Sequence, residues 1–242
     1  MKTQIITATI ILAGIIIMNA CDNVKDVIPG EDVITQEYTF SGYENIETES
    51  AFTIYVNFSD TEESIVVESN ENLFQYIEVT KSSDNLKIGF RENISIKGSA
   101  TLKAYITTKN IKGFLATGAS RFIVEDAIET DDVTVFLSGA SQFAGEMYVE
   151  TLDADLSGAS SMDLEGEAAS FDITASGASI VGDFDFSTEY LKVNFSGASS
   201  ASLTVTDKMD VSASGASMVK YKGVAVINSQ NLTGGSQIID MN

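Results

Sequence analysis

The sequence lacks histidine and tryptophan, and it has one cysteine and one proline in 242 residues. Without histidine the chain has no imidazole for a Ser-His-Asp or Cys-His nucleophile, and none to ligate zinc or haem. Acid or base chemistry would therefore fall to carboxylates, lysine or tyrosine. A single cysteine also excludes an internal disulfide.

Basic side chains are scarce as well. The chain has 14 Lys and Arg residues against 35 Asp and Glu residues, which gives a formal net charge of -21. Such a negative field repels phosphate backbones, so the composition predicts no nucleic-acid partner. Hydrophobic residues make up 44% of the chain, which is enough for the core of one large β domain or two small ones.

The first 20 residues predict an export signal. Lys2 precedes an apolar run from Ile5 to Met18, which is too short for a comfortable bilayer span. The run ends in Met18-Asn19-Ala20-Cys21, and this junction resembles a bacterial lipoprotein signal, in which the thiol is lipidated. The resemblance implies lipidation at Cys21 and a membrane anchor through the lipid. The alternative is an ordinary secretion signal that leaves a free thiol, which is a liability in an oxidising compartment.

Residues 21–36 hold the only proline and mix charges with few large apolar side chains, which predicts a tether. From residue 37 onward no stretch has the apolar spacing of a helix. Short alternating runs such as Phe52 to Phe58, bounded by Asn, Asp, Ser or Gly, predict strands and turns instead. We therefore expect an all-β chain, with N-terminal β coils over residues 37–110.

An internal repeat is the strongest signal in the sequence. A Ser-Gly-Ala-Ser motif recurs with successive glycines 21, 19, 19, 20, 18 and 19 residues apart. The repeat glycines are Gly118, Gly139, Gly158, Gly177, Gly197, Gly215 and Gly234. A fixed period of this length is the signature of a solenoid.

The residues around each glycine predict the class of solenoid. Positions two and four residues before the glycine are mostly apolar, for example Leu156 and Ala154, and the positions between them are mostly polar. A further apolar position follows the motif, for example Met162. Period-2 alternation with one face inward predicts a single-stranded parallel β-helix with coils of about 20 residues over 111–242, continuous with the preceding coils.

The small residues of the motif predict tight corners between strands. Glycine adopts positive φ and allows backbone to approach backbone, so we expect a structural role for all seven. The serines on either side of the glycines are candidates for hydrogen-bonded ladders from coil to coil. Two functional alternatives stay open. One is a glycine-rich phosphate cradle, which would need a helix N-terminus and nearby basic residues, and the other is an outward row of hydroxyls that orders water or a glycan.

Three phrases resemble one known family. They are Tyr38 to Ile46 at the opening, Val67 to Ile77 next, and Asp84 to Ile88, followed by the Ser-Gly-Ala-Ser coils. Together they are similar to the putative auto-transporter adhesin head domain (DUF2807, GIN-type) over residues 37–242. The resemblance implies a β-helix-like fold on exported bacterial envelope proteins, without catalytic residues or a cofactor.

Carboxylates are the remaining candidates for chemistry. The register predicts Asp153, Asp155 and Asp172 on one outer face of adjacent coils, with Asp210 further along the same column and Lys192 between them. A hard cation such as Ca²⁺ could bind there, but a solvated acidic face that prevents lateral aggregation is the simpler interpretation. The aromatic candidates for stacking on sugars are Phe136, Tyr148 and Tyr190.

The sequence therefore predicts a non-catalytic outer-membrane lipoprotein of the cell envelope, periplasmic or exposed at the surface, with an adhesion or ligand-binding role. The expected partners are the membrane, through the lipid, and a glycan or a host or matrix protein. Two alternatives remain. One is a carbohydrate-active β-helix enzyme of the polysaccharide lyase or pectin hydrolase type, and the other is a structural spacer. Fold analogy alone does not transfer catalysis.

Overall fold

A computed structural model describes residues 24–242, which form 20 strands and one 3-10 turn, with no α-helix in this range. The predicted all-β parallel solenoid is confirmed. No helix in the same range is long and apolar enough to cross a membrane. The predicted signal over residues 1–20 and Cys21 lie outside the described residues.

The strands are bounded as follows, with the 3-10 turn at Glu71–Leu73: β1 (Lys25–Val27), β2 (Val33–Tyr38), β3 (Asn45–Thr48), β4 (Thr53–Phe58), β5 (Ser64–Asn70), β6 (Ile77–Ser82), β7 (Asn85–Phe90), β8 (Ile94–Ile96), β9 (Leu102–Thr108), β10 (Gly113–Ala116), β11 (Arg121–Val124), β12 (Ile128–Leu137), β13 (Gln142–Leu156), β14 (Ser161–Ala175), β15 (Ile180–Val181), β16 (Phe186–Phe195), β17 (Ser200–Ala213), β18 (Met218–Lys222), β19 (Val226–Leu232) and β20 (Gln237–Asp240).

Parallel pairing holds throughout the repeat region, which spans 113–242. Each strand from β10 to β20 pairs in parallel with the equivalent strand of a neighbouring coil. The register follows the glycine period, so that Ala154 pairs with Ile173 and Ile173 pairs with Val193. The apolar columns predicted from the sequence are therefore real columns, and their side chains fill the core from end to end.

Each corner of the repeat region is formed by its glycine. In the corners from Gly118 to Gly215, φ lies between 77° and 79°, and in Gly234 it is 70°. A Cβ at Gly177 would lie 2.3 Å from the carbonyl oxygen of Gly158 in the neighbouring coil. The amide of Ala178 donates to that same oxygen at 2.7 Å. Both reasons for glycine, positive φ and close backbone approach, thus apply at this position.

The serine after each glycine points into the core. Ser141, Ser160, Ser179, Ser199 and Ser217 are buried, and their hydroxyls donate to the carbonyl three residues earlier in the same corner at 2.8 to 3.0 Å. The predicted coil-to-coil serine ladder is therefore wrong for this row. The serine hydroxyl satisfies a turn carbonyl locally, as Ser side chains often do. Neither a phosphate cradle nor an outward hydroxyl row is built from these buried serines.

The N-terminal region, residues 24–112, is not a simple series of coils. The coil formed by β3 and β4 stacks on β10 and β11, and β7 and β9 stack on its other side. The order along the axis therefore differs from the order along the chain. Beyond these coils the pairing changes direction, because β5 and β6 are antiparallel to β9 and β7. These antiparallel strands close this end of the solenoid.

Residues 21–36 differ from the predicted tether in their described part. β1 pairs with β8, and β2 pairs antiparallel with β5. Val27 is buried and belongs to the hydrophobic core. Alternation was weak in this segment, and its strands are defined by their partners instead of by their own pattern.

Candidate functional site

A groove runs along one flat face of the repeat region, parallel to the solenoid axis. It has a cavity volume of about 490 Å³ and is open to solvent. Two outward columns line it, with one residue from each coil in each column. The first column holds Thr134, Asp153, Asp172, Lys192, Asp210 and Ser229, and the second holds Asp155, Thr174, Asn194, Ser212 and Asn231. We call this feature the axial groove.

The strand alternation explains why the groove is polar. Between the two columns lie buried residues such as Ile173 and Val193, whose side chains point into the core. Successive residues of a strand point to opposite faces, so the positions on either side of a core residue face solvent. The floor of the axial groove is therefore backbone, and its walls are carboxylates, amides, hydroxyls and one ammonium group.

Three charged side chains of the first column, those of Asp172, Lys192 and Asp210, have hydrogen-bond partners. The Lys192 ammonium group donates to the Asp172 carboxylate in the preceding coil. In the other direction Asp210 accepts from the Tyr190 hydroxyl at 2.5 Å and from the Asn228 amide at 2.8 Å. These contacts link side chains of four successive coils.

The same contacts shift the pKa values of the group. Hydrogen bonds from Tyr190 and Asn228 lower the pKa of Asp210. The hydrogen bond to the Asp210 carboxylate raises the pKa of Tyr190, and the contact with Asp172 raises that of Lys192. Each of these three shifts favours the protonation state already present at neutral pH, so Asp210, Tyr190 and Lys192 are not poised to exchange a proton there.

The predicted cation ligands share the expected face but do not converge. Asp153 pairs in register with Asp172, and Asp155 lies two residues further along the strand. The Asp172 carboxylate, however, forms an ion pair with the Lys192 ammonium group. Within residues 24–242 no three Asp, Glu, Cys or His side chains are grouped closely enough to hold a metal ion.

The three aromatic candidates are divided between two faces. Tyr190 lies beside the axial groove, but the Lys208 ammonium lies 5.0 Å from the centre of its ring and covers one side. Phe136 is half-buried at the end of the second column, where it pairs with Asp155. Tyr148 lies on another face, 43% exposed, with its hydroxyl donating to Glu146 at 2.7 Å.

A second groove, on the face that contains Tyr148, has a cavity volume of about 770 Å³. Its charged lining residues are Glu129, Asp131, Glu150, Glu167 and Glu189. The axial groove differs because it combines carboxylates with Lys192 and the two amide side chains of Asn194 and Asn231, which gives it donors and acceptors side by side.

Two contributors to the axial groove could not be found from the glycine period. Asn228 reaches Asp210 only because the register shifts between Met209 and Asp210, where β19 has an extra residue. Lys208 precedes the shift and lies over Tyr190. An aligned set of coils would have shown the one-residue insertion but not the contact it produces.

A family model described as "Putative auto-transporter adhesin, head GIN domain" (DUF2807) matches residues 42–225. The chain belongs to this family. The matched range covers the repeat region up to the beginning of the last coil and most of the N-terminal region, so the axial groove lies largely on the family's domain. The resemblance inferred from the sequence is confirmed.

Solved structures of similar fold include proteins of Bacteroides and Parabacteroides species. A putative adhesin of Bacteroides fragilis is 18% identical, with a TM-score of 0.79 over 88% of this chain and 97% of that one. A putative lipid binding protein of Parabacteroides distasonis is 17% identical, with a TM-score of 0.75 over 90% of this chain and 100% of that one. A putative adhesin of Parabacteroides merdae is 16% identical, with a TM-score of 0.67 over 90% and 99% of the two chains. No curated protein matches the chain. At these identities the likeness shows the fold alone.

Proposed function

We propose that this protein is a non-catalytic lipoprotein of the bacterial cell envelope that binds a glycan in the axial groove and acts in adhesion. The observation that carries the proposal is the repetition of polar side chains, one per coil, in two parallel columns. A polysaccharide presents hydroxyl groups at a regular interval along its length. Carboxylates accept from such hydroxyls, and amides both donate and accept.

The charge of the groove narrows the class of glycan. Four carboxylates, on Asp153, Asp155, Asp172 and Asp210, stand against the ammonium of Lys192, so the lining has a net charge of 1 - 4 = -3. The whole chain adds to this field with its charge of -21. Uronic, sialic and sulfated sugars are therefore repelled, and neutral or amino sugars are favoured.

Two features weigh against the carbohydrate-active enzyme. A glycosidase needs a carboxylic acid with a raised pKa as its proton donor, and Asp210 does not fit that role because its hydrogen bonds lower its pKa. The groove also lacks deep walls, because the corners between coils are short. The adhesin descriptions of the family and of two neighbours support a binding role. The proposed location at the outer membrane and the proposed lipidation of Cys21 are supported by the export signal alone.

A glycan array tests the proposal with the protein from residue 24 onward, which contains the entire described core. The groove variant combines Asp172→Asn with Lys192→Gln, which removes an ion pair without changing the net charge. The matched control combines Glu44→Gln with Lys112→Gln, an exposed ion pair at 3.0 Å outside the groove. We expect wild type and control to bind the same neutral or amino glycans. The groove variant should lose at least about tenfold in affinity.

Three results would count against this function. Equal binding by all three proteins would place the glycan elsewhere, and preference for acidic glycans would contradict the charge argument. Shortening of a bound polysaccharide would favour the enzyme. For the anchor, a Cys21→Ser change should release the protein from the membrane fraction, and retention of the cleaved variant would argue against lipidation.

A further inference from the structure

The last coil described, residues 224–242, is uncovered on its outer side. Every residue of β19 is exposed, while the equivalent part of β17 alternates between buried and exposed residues. Leu232 is 37% exposed and pairs with the buried Ala213, and Ile227 is 36% exposed and pairs with the buried Met209. These side chains belong to the core columns, and no residue in the range 24–242 covers them.

The same coil carries almost no charge. From Gly223 to Ile239 there is no Asp, Glu, Lys or Arg, in a chain where these residues make up 20%. β17 in the preceding coil contains Asp207, Lys208 and Asp210. Charged residues on an edge strand are a usual protection against pairing with another chain. The outer edge of this coil has unpaired backbone groups, exposed apolar side chains and no such protection.

The opposite end of the solenoid differs in this respect. Its edge strands are β2 and β6, which contain Glu37, Glu78 and Lys81. The neighbouring turns add Asp32 and Glu71, joined by a backbone hydrogen bond of 2.8 Å. An acidic end that meets another acidic end, or the acidic side of another copy, is repelled. Two neutral ends are not.

We propose that two copies of this chain associate end to end through the coil at 224–242, with strands of the last coil paired antiparallel across a twofold axis. The occupant is a second copy because, among the strand edges formed by residues 24–242, the neutral edge of this coil combines unpaired backbone groups and apolar side chains with freedom from acidic repulsion, and a second copy offers the same edge. A twofold contact uses the same surface on both chains and closes on itself, so the product is a dimer and not a filament. This inference is independent of the glycan-binding function.

The dimer places the two N-terminal ends at opposite poles of one rod. If each N-terminus is anchored as proposed, the two anchors face away from each other, and the dimer joins two surfaces instead of lying on one. Homophilic contact between neighbouring cells would then be a second mode of adhesion, alongside the axial groove.

Analytical ultracentrifugation over a concentration series tests the dimer with the protein from residue 24 onward. The end variant combines Gln230→Glu with Gln237→Glu, which brings four negative charges together in a dimer of this geometry. The matched control combines Gln36→Glu with Gln75→Glu, which makes the same chemical change on exposed residues at the opposite end. We expect wild type and control to form a dimer, with the dissociation constant of the end variant raised at least about tenfold.

Amide hydrogen exchange gives a second measurement on the same samples. In the dimer, amides of β19 should exchange more slowly at high protein concentration than at low, and in the end variant this difference should disappear. A single-chain mass for wild type up to about 100 µM would overturn the proposal, since a weaker contact lies near the millimolar range. So would dissociation caused by the control variant, or masses beyond two chains, which would indicate head-to-tail association.

Discussion

The repeat region and the N-terminal region build equivalent corners from different residues. In the repeat region the corner is a glycine with φ near 78°, as in Gly118 and Gly158. In the neighbouring coil of the N-terminal region the corner is Ser50-Ala51, with φ of 65° and 66°. A Cβ at Gly118 would lie 3.3 Å from the amide nitrogen of Ser50, so the two corners stack directly on each other.

The difference shows what each region requires of its backbone. From Gly139 to Gly215 each glycine corner lies between two others, and a Cβ at the glycine would lie 2.3 to 2.5 Å from the carbonyl oxygen of the glycine in the preceding coil. The N-terminal coil ends the row of glycine corners, so a side chain at Ser50 or Ala51 has space, and only the conformational strain remains. Positive φ is therefore common to both regions, while the steric demand for glycine is confined to the repeats.

The largest difference in stability is expected between two glycine-to-alanine variants, both at positions with positive φ. Gly177→Ala should lower the free energy of unfolding by more than about 3 kcal/mol, because the added Cβ lies 2.3 Å from the Gly158 oxygen. Gly42→Ala in the N-terminal region should lower it by only about 1 kcal/mol, since Gly42 has φ of 65° and no atom within 4 Å of an added Cβ. Chemical denaturation of both variants measures the difference, and equal losses would mean that close backbone approach is unimportant.

A smaller effect should separate two buried serines. The Ser179 hydroxyl donates to the Ser176 carbonyl at 3.0 Å, whereas the buried Ser120 hydroxyl, at the first corner, has no partner among the described residues. Ser179→Ala should therefore lower the free energy of unfolding by about 1 kcal/mol, and Ser120→Ala should leave it unchanged or raise it slightly. Thermal unfolding of the two variants is the measurement. A larger loss at Ser120 than at Ser179 would contradict the assigned partners.

The smallest expected effect is a difference in direction: the same alanine-to-glycine substitution should raise the free energy of unfolding at one corner and lower it at another. Ala51→Gly should raise the free energy of unfolding by about 0.5 kcal/mol, because relief of the left-handed strain exceeds the added flexibility of the unfolded chain. Ala140→Gly is the matched control, at an exposed repeat corner where the alanine does not have positive φ. There the same change should be destabilising by up to about 1 kcal/mol. If both substitutions change the free energy of unfolding in the same direction, the backbone at Ala51 is not strained.

The sequence predicted the repeat region well because one signal carried both the fold and the register. Glycines spaced by one coil fix which residues stack, so the columns that contain Asp153, Asp172 and Lys192 followed directly from the spacing. What the spacing does not contain is the choice of partners within a column. Lys192 has carboxylates on both sides. The structure shows that it donates to Asp172, while Asp210 accepts from Tyr190.

The N-terminal region was less predictable for a physical reason. Its corner at Ser50-Ala51 has no glycine, so the period cannot be followed past Gly118. Alternation identifies strands such as β5 and β9, but it is the same in parallel and antiparallel pairs and does not specify the partner. The stacking of β3 and β4 between later strands is a tertiary choice, which no local pattern records.

The row of hydrogen bonds at the glycine corners has one further consequence, which concerns length. The amide of each corner alanine from Ala140 to Ala216 donates to the carbonyl oxygen of the glycine in the preceding coil at 2.7 to 2.8 Å, so that one joint is much like the next. A whole coil can therefore be gained or lost by an in-frame duplication or deletion without a new kind of joint, and each such event lengthens or shortens the rod by about 4.8 Å. The length of the rod therefore depends on the number of coils. It can change independently of the chemistry of the faces, which depends on individual side chains.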